Sequence, residues 1–213
     1  IYSPTRMVSK KVEEARKLIA GTIGAEASEI YFTSGGSESD NWAIKKIMIS
    51  RMNKGKHMIT TKVEHHAVLE SCKYLESLGF EVTYLNVNED GLIDLNELES
   101  SIREDTILVS IMAANNEIGT LMPLKEIGDI CKKHKVLFHT DAVQAYGNIP
   151  MDVNEMNIDL LSTSAHKIEG PKGIGFLYVR KGVMITPLIS GGMQEKGKRA
   201  GTTNAAGIIG FAK

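Results

Sequence analysis

Ile158-Asp159-Leu160-Leu161-Ser162-Thr163-Ser164-Ala165-His166-Lys167, followed after Ile168-Glu169 by Gly170-Pro171-Lys172-Gly173 and the run Ile174 to Val179, is the stretch whose reading decides the fold. Two apolar strand-like runs flank a polar segment that ends in a glycine-proline link. Four residues are too few for a crossover helix, so the second run is expected to lie antiparallel to the first. Toward the N-terminus, further strand-like runs occur at Ile30 to Thr33, His57 to Thr61, Phe80 to Leu85, Thr106 to Met112 and Val136 to Thr140. Helix-period segments lie between most of them, at Ser37 to Ile49, His66 to Leu78, Leu95 to Ile102 and Leu124 to His134. An opening helix carries Val12, Ala15, Ile19 and Ile23 on one face and ends at Gly24. This alternation predicts an α/β fold: a three-layer α/β/α domain over residues 1–213 with a mostly parallel seven-stranded sheet whose last strand is antiparallel.

Composition narrows the functional classes. The 213 residues are 42% hydrophobic, enough for one large core, and the formal net charge of −1 gives no basic footprint for nucleic acid or an anionic membrane. No apolar run approaches the roughly 20 residues of a membrane span. The two cysteines, Cys72 and Cys131, form neither a metal-type spacing nor a disulfide framework, which agrees with a reducing compartment and makes a cytoplasmic location the expectation. A start without methionine and an end at Phe211-Ala212-Lys213 suggest a piece of a longer protein.

Each chemically suggestive segment follows a strand, where open α/β sheets bind ligands. Lys167 follows one buried strand and Asp141 ends another, in His139-Thr140-Asp141-Ala142-Val143-Gln144. A lysine amine kept deprotonated by its surroundings forms a Schiff base with an aldehyde, and a neighbouring carboxylate holds a pyridine nitrogen protonated. The pair reads as a pyridoxal phosphate (PLP) site. Either residue alone reads better as a surface lysine or a helix N-cap.

Thr33-Ser34-Gly35-Gly36-Ser37-Glu38-Ser39 opens a helix with glycines and hydroxyls, so the amides of Gly36 and Ser37 are candidates to cradle a phosphate, the alternative being an ordinary turn and N-cap. In Glu64-His65-His66, a histidine at a helix start can stack on a cofactor ring and move protons. Metal ligation is disfavoured, because neighbours on a helix diverge by about 100° and no third ligand has suitable spacing. Asn115-Asn116-Glu117-Ile118-Gly119 offers amide groups for a phenolate or carboxylate oxygen, or else forms a turn. The loop from Gly191-Gly192-Met193 to Arg199-Ala200-Gly201-Thr202 carries Lys196, Lys198 and Arg199, and reads either as a phosphate wrap or as a mobile surface loop.

Taken in order, the segments at Thr33–Asn41, Glu64–Leu69, Asn115–Gly119, Asp141–Gln144, Ser164–Lys167 and Arg199–Thr202 resemble the cysteine desulfurases, in the NifS/IscS branch of the class V aminotransferase superfamily. The resemblance implies that Lys167 binds the cofactor covalently and later moves protons, that Asp141 pairs with the pyridine nitrogen, and that Gln144 bonds the phenolic oxygen. It also implies that His65 stacks on the ring, that Asn116 bonds the ring oxygen or the substrate, and that Gly36, Ser37, Ser164 and His166 hold the phosphate. Thr202 would reach the phosphate of a partner subunit in a homodimer. The implied reaction converts L-cysteine to L-alanine and passes sulfur through an enzyme persulfide to an iron–sulfur scaffold or another acceptor protein. A selenocysteine lyase, another class V aminotransferase and a non-catalytic truncated module are the alternatives.

The chain departs from the family pattern in places. The family's attacking cysteine and substrate-binding arginine lie beyond the position of Thr202, and with them the C-terminal small domain, so this fragment is expected to be inactive by itself. Cys72 shares a stripe with Val68, Leu69 and Leu75, and Cys131 one with Ile127 and Ile130, so both read as buried structural thiols. Glu169 is expected to face solvent. Met193, where the family often has glycine, is expected to stiffen the approach to a partner.

Overall fold

The computed structural model describes residues 3–213, with side chains from Arg6 onward. The chain runs α1 (Ser3–Gly21), β1 (Ile30–Thr33), α2 (Gly36–Ser50), β2 (His57–Thr61), α3 (His66–Ser77), β3 (Glu81–Leu85), α4 (Leu95–Ser101), β4 (Thr106–Ser110), α5 (Leu124–His134), β5 (Leu137–Asp141), β6 (Leu160–Ser162), β7 (Gly175–Val179), the single turn α6 (Gln194–Gly197) and α7 (Ala205–Phe211). All seven strands form one sheet in the order β1-β7-β6-β5-β4-β2-β3. β7 runs antiparallel to both its neighbours, with Ile30 opposite Tyr178 and Leu160 opposite Val179, and the remaining pairs are parallel.

The antiparallel strand therefore lies inside the sheet, second from one edge. It is admitted there because the turn at Gly170–Gly173 reverses the chain at once. Six strands point their C-terminal ends at the same edge, and β7 starts there. At that start Gly175 lets β1 and its following loop close up, since a Cβ on Gly175 would meet the Cα of Gly35 at 2.8 Å.

Apolar layers cover both faces. α2 and α3 supply Trp42, Ile44, Ile47, Met48, Val68, Cys72 and Leu75 to one face, against Met58, Leu108, Leu160 and Leu177. The other face is covered by α1, α4, α5 and α7, with Ile19, Leu98, Ile127, Cys131 and Phe211 packed on Ile30, Val109, Phe138 and Phe176. Strands β2, β4, β5, β6 and β7 are buried almost throughout, as expected of a sheet covered on both sides.

Two expected strands match the observed ones to the residue, the ends of the others differ by a residue or two, and the link from β5 to β6 crosses over without a helix. α7 is the one longer element that periodicity did not find. Its sequence Ala-Ala-Gly-Ile-Ile-Gly-Phe holds two glycines and no amphipathic stripe, and it forms because Ile208 and Phe211 bury against the core while the Asn204 side chain caps Gly207 N–H at 3.0 Å. Both thiols are buried, and burial pushes each pKa up to about 12. That agrees with a structural role for Cys72 and Cys131.

Candidate active site

The C-terminal edge of the sheet opens into a cavity of about 380 Å³. Gly36, Ser37, His65, Asn116, Asp141, Gln144, Ser164, His166 and Lys167 line it, so nine of the ten residues expected to hold a cofactor meet in one place. The size suits a small organic ligand. Thr202 stands apart, exposed in a separate concavity between α1 and the loop that carries it.

One end of the cavity is built for an anion. Gly36 starts α2, whose first amides and dipole face the opening, and Ser37 and Ser164 add hydroxyls. Ser164 Oγ lies 2.7 Å from Nδ1 of His166, which fixes both groups. Gly35 adopts φ +148°, a conformation that favours glycine, and a Cβ on Gly36 would stand 2.5 Å from Cγ2 of Val143. Gly36→Ala therefore forces Gly36 or Val143 to shift in the cavity wall, at a cost of about 1–3 kcal/mol. The expected result is PLP affinity roughly 5- to 150-fold weaker with the fold intact, read by fluorescence titration; unchanged affinity would contradict the cradle.

At the other side, Asp141 ends β5 with 6% of its surface exposed. Its Oδ1 accepts the Val143 N–H at 2.9 Å, an Asx-type turn that turns the carboxylate toward the cavity. Burial raises its pKa, while Val143 N–H, His65 and Lys167 favour the charged form. His65 caps α3, its Nδ1 accepting Ala67 N–H at 3.1 Å, so a neutral ring carries its proton on Nε2. Donor atoms of Asp40, His65 and Asp141 come within 4.8 Å of one another. The spacing argument that left His65 without companions thus fails in space, because β5 and α2 bring partners from distant sequence; these donors belong to the wall of the same cavity.

Lys167 follows β6 in the 3-10 turn Ala165–Ile168 and is exposed at the cavity mouth. Its side chain is open to solvent rather than enclosed by the cavity wall. Glu169, in a left-handed conformation at φ 62°, is exposed as anticipated; Met193 is exposed too. Asn116 faces the cavity, its Nδ2 donating to Glu117 Oε1 at 2.8 Å. Asn115 takes the turn role instead: its Oδ1 accepts the N–H groups of Glu117 and Ile118, and its Nδ2 donates to Val63 O.

The cationic loop is not a phosphate wrap for this cavity. Arg199 forks onto Glu38 at 2.8 and 3.1 Å, Lys196 donates to Ser28 O, and Lys198 donates to Ile185 O. Glu195 accepts a two-pronged bond from Arg16 at 2.7 and 2.9 Å. These contacts strap the loop to α1 and to the loop–helix junction at β1.

Glu64 is buried with Oε2 unpartnered, while Oε1 accepts from Thr61 Oγ1 at 2.8 Å and Met112 N–H at 3.0 Å. Burial pushes its pKa from 4.5 up to about 8. The folded state thus binds this proton more tightly than the unfolded chain, so stability falls as pH rises across that window, by at most about 1.4 kcal/mol per pH unit. Glu64→Gln is expected to lessen this slope, measured by urea unfolding at pH 5 and pH 8; an unchanged slope would contradict it. Asp40, Glu64 and Val143 were not singled out from the sequence. The available signal was Asp40 itself, a carboxylate on the apolar stripe of α2 that continues through Ala43, Ile44 and Ile47.

The family model for "Aminotransferase class-V" matches residues 1–213. Cysteine desulfurase IscS of Methanosarcina thermophila is 58% identical over all of this chain and 53% of its own length. The mitochondrial cysteine desulfurase of Candida albicans is 56% identical over 96% of this chain and 42% of its own. Among solved structures, SspA in complex with cysteine superposes with a TM-score of 0.97 at 45% identity, covering all of this chain and 62% of that one. The chain spans about half the length of the curated relatives it matches. With a whole-length match and a cavity whose donors suit a phosphate, a pyridine nitrogen and an aldehyde, the chain belongs to the class V aminotransferase family, whose cofactor is PLP.

Proposed function

We propose that residues 1–213 form the PLP-binding large domain of a cysteine desulfurase of the NifS/IscS kind. The observation that carries this reading is the meeting of Lys167 and Asp141 in one cavity whose far end is an anion cradle. Gly36, Ser37, Ser164 and His166 hold the phosphate, Asp141 faces the pyridine nitrogen, and His65 covers the ring. Gln144 and Asn116 bond the ring oxygen or the substrate, and Lys167 presents its amine to the aldehyde carbon. Bound there, PLP supplies an electron-withdrawing pyridinium that stabilises negative charge at a substrate's α carbon. Lys167 then takes and returns the α proton, and His65, with its proton on Nε2, is placed to relay it.

The substrate is L-cysteine, by likeness to relatives named for that chemistry and to a neighbour solved with cysteine. The products are L-alanine and sulfur carried as a persulfide to an acceptor such as an iron–sulfur scaffold protein. Neither Cys72 nor Cys131 carries it, since both are buried outside the cavity. Thr202 is exposed and serves the phosphate of a second copy in a homodimer. Two unpaired thiols fit a reducing compartment such as the cytoplasm, and among the described residues no helix is long and apolar enough to cross a membrane.

The test is incubation of the cofactor-loaded protein, at the full length of its relatives and with a thiol reductant, with L-cysteine. Equal amounts of alanine and sulfide support desulfuration. Amino-group transfer to a 2-oxo acid without sulfide would support an aminotransferase instead.

A further inference from the structure

Asp40 has no part in the roles above, yet it is 1% exposed and lines the cavity. α2 carries it one turn after Gly36, on the face that packs over the sheet. Neither carboxyl oxygen has a hydrogen-bond partner. Nε2 of His139 stands 3.7 Å from Oδ1, but that nitrogen is engaged with Ser162 Oγ at 3.0 Å, and Nδ1 with Ser110 Oγ at 2.8 Å. Burial holds His139 neutral, its pKa pushed down to about 3, so it gives Asp40 no countercharge.

Asp40 and Asp141 thus face each other within 4.8 Å in a buried wall. Two carboxylates so placed cannot both ionise at ordinary cost, and one keeps a proton. The surroundings decide which one. Asp141 accepts the Val143 N–H and lies near Lys167 and His65, all of which favour its anion. Asp40 meets the negative Asp141, the buried Glu64 and the neutral His139; His65 is shared by both carboxyls, and the one further group that favours the Asp40 anion is the Ser162 hydroxyl, already engaged with His139.

We propose that Asp40 is a positioning residue that keeps the proton of the Asp40–Asp141 pair, leaving Asp141 as the sole anion facing the cofactor's ring nitrogen. The placement of the proton stands on this chain alone; its use toward a pyridine nitrogen rests on the PLP reading. Burial and the Asp141 charge both raise the pKa of Asp40, in agreement with the geometry. A neutral Asp40 also keeps the wall from accumulating two negative charges that would bind a proton away from the ring.

The test uses the cofactor-free chain with isotope-labelled aspartate carboxyls, titrated by NMR, so that Glu64 is silent. One aspartate signal is expected to stay at its neutral-acid position through pH 7 and to vanish in Asp40→Asn. In Asp141→Asn the same signal is expected to persist with its midpoint at least one pH unit lower, a tenfold loss of proton affinity. A signal that survives Asp40→Asn and vanishes in Asp141→Asn would overturn the proposal, as would a wild-type chain with every aspartate ionised at pH 7. Should Asp40→Asn fail to fold, wild type and Asp141→Asn decide alone. Capture of PLP on Lys167 of the unsubstituted chain tests the cofactor reading separately, so the two can fail independently.

Discussion

Lys167→Ala is expected to abolish covalent retention of PLP and, in the protein at the full length of its relatives, to lower turnover by at least about a thousandfold, the scale seen when a nucleophile acting with its partners is removed. Among the described residues no other lysine lines the cavity, so no amine replaces it. The phosphate cradle is untouched, and PLP should still bind reversibly, leaving on dialysis where wild type retains it. The fold should not suffer. Lys167 is exposed and its side chain makes no hydrogen bond or ion pair among the described residues, so the stability change should stay within about 0.5 kcal/mol. Thermal unfolding and dialysis followed by absorbance check both halves, and a variant that retains PLP covalently would remove Lys167 from its role.

In the protein at the full length of its relatives, Asp141→Asn is expected to lower turnover by about 10²- to 10⁴-fold with the cavity unchanged in shape, the range of a lost proton-holding partner. The amide keeps an oxygen for the Val143 N–H but carries no charge, so nothing opposes a positive ring nitrogen. Stability should hold or rise, because the substitution removes one of two adjacent buried carboxyls. That opposite sign separates a chemical role from a structural one. A loss of stability with turnover preserved would show that Asp141 serves only its turn. The cofactor's absorbance across pH gives a further check, since its ring proton should leave at lower pH in the variant.

Much of this was legible in the sequence, for identifiable reasons. Strands buried on both faces lack the polar alternation of a half-exposed strand and favour β-branched and aromatic residues, so His57–Thr61 and Ile30–Thr33 were found to the residue. The reversal before β7 followed from chain length alone. Cavity-lining residues were legible where a strand end and a glycine or a titratable group coincide, as at Gly36, Asp141 and Lys167. Asp40 was not, because helix geometry rather than a motif aims it at the sheet, and its significance depends on Asp141, a hundred residues away. The basic loop was ambiguous for a related reason. Whether Arg199 meets a phosphate or Glu38 depends on a long-range contact that no local pattern encodes.

α7 marks the limit of propensity. Glycine at two of seven positions argues against a helix, and tertiary burial of Ile208 and Phe211 overrides it. The helix then packs against α1, so both ends of the described chain meet on one face of the sheet.

The measurement that bears most directly on the central claim is borohydride reduction of the purified chain with PLP, followed by peptide mass mapping. A single pyridoxyl label on the peptide holding Lys167, absent from Lys167→Ala, is the expected result. Labels scattered over surface lysines, or the same label pattern in the variant, would contradict the account.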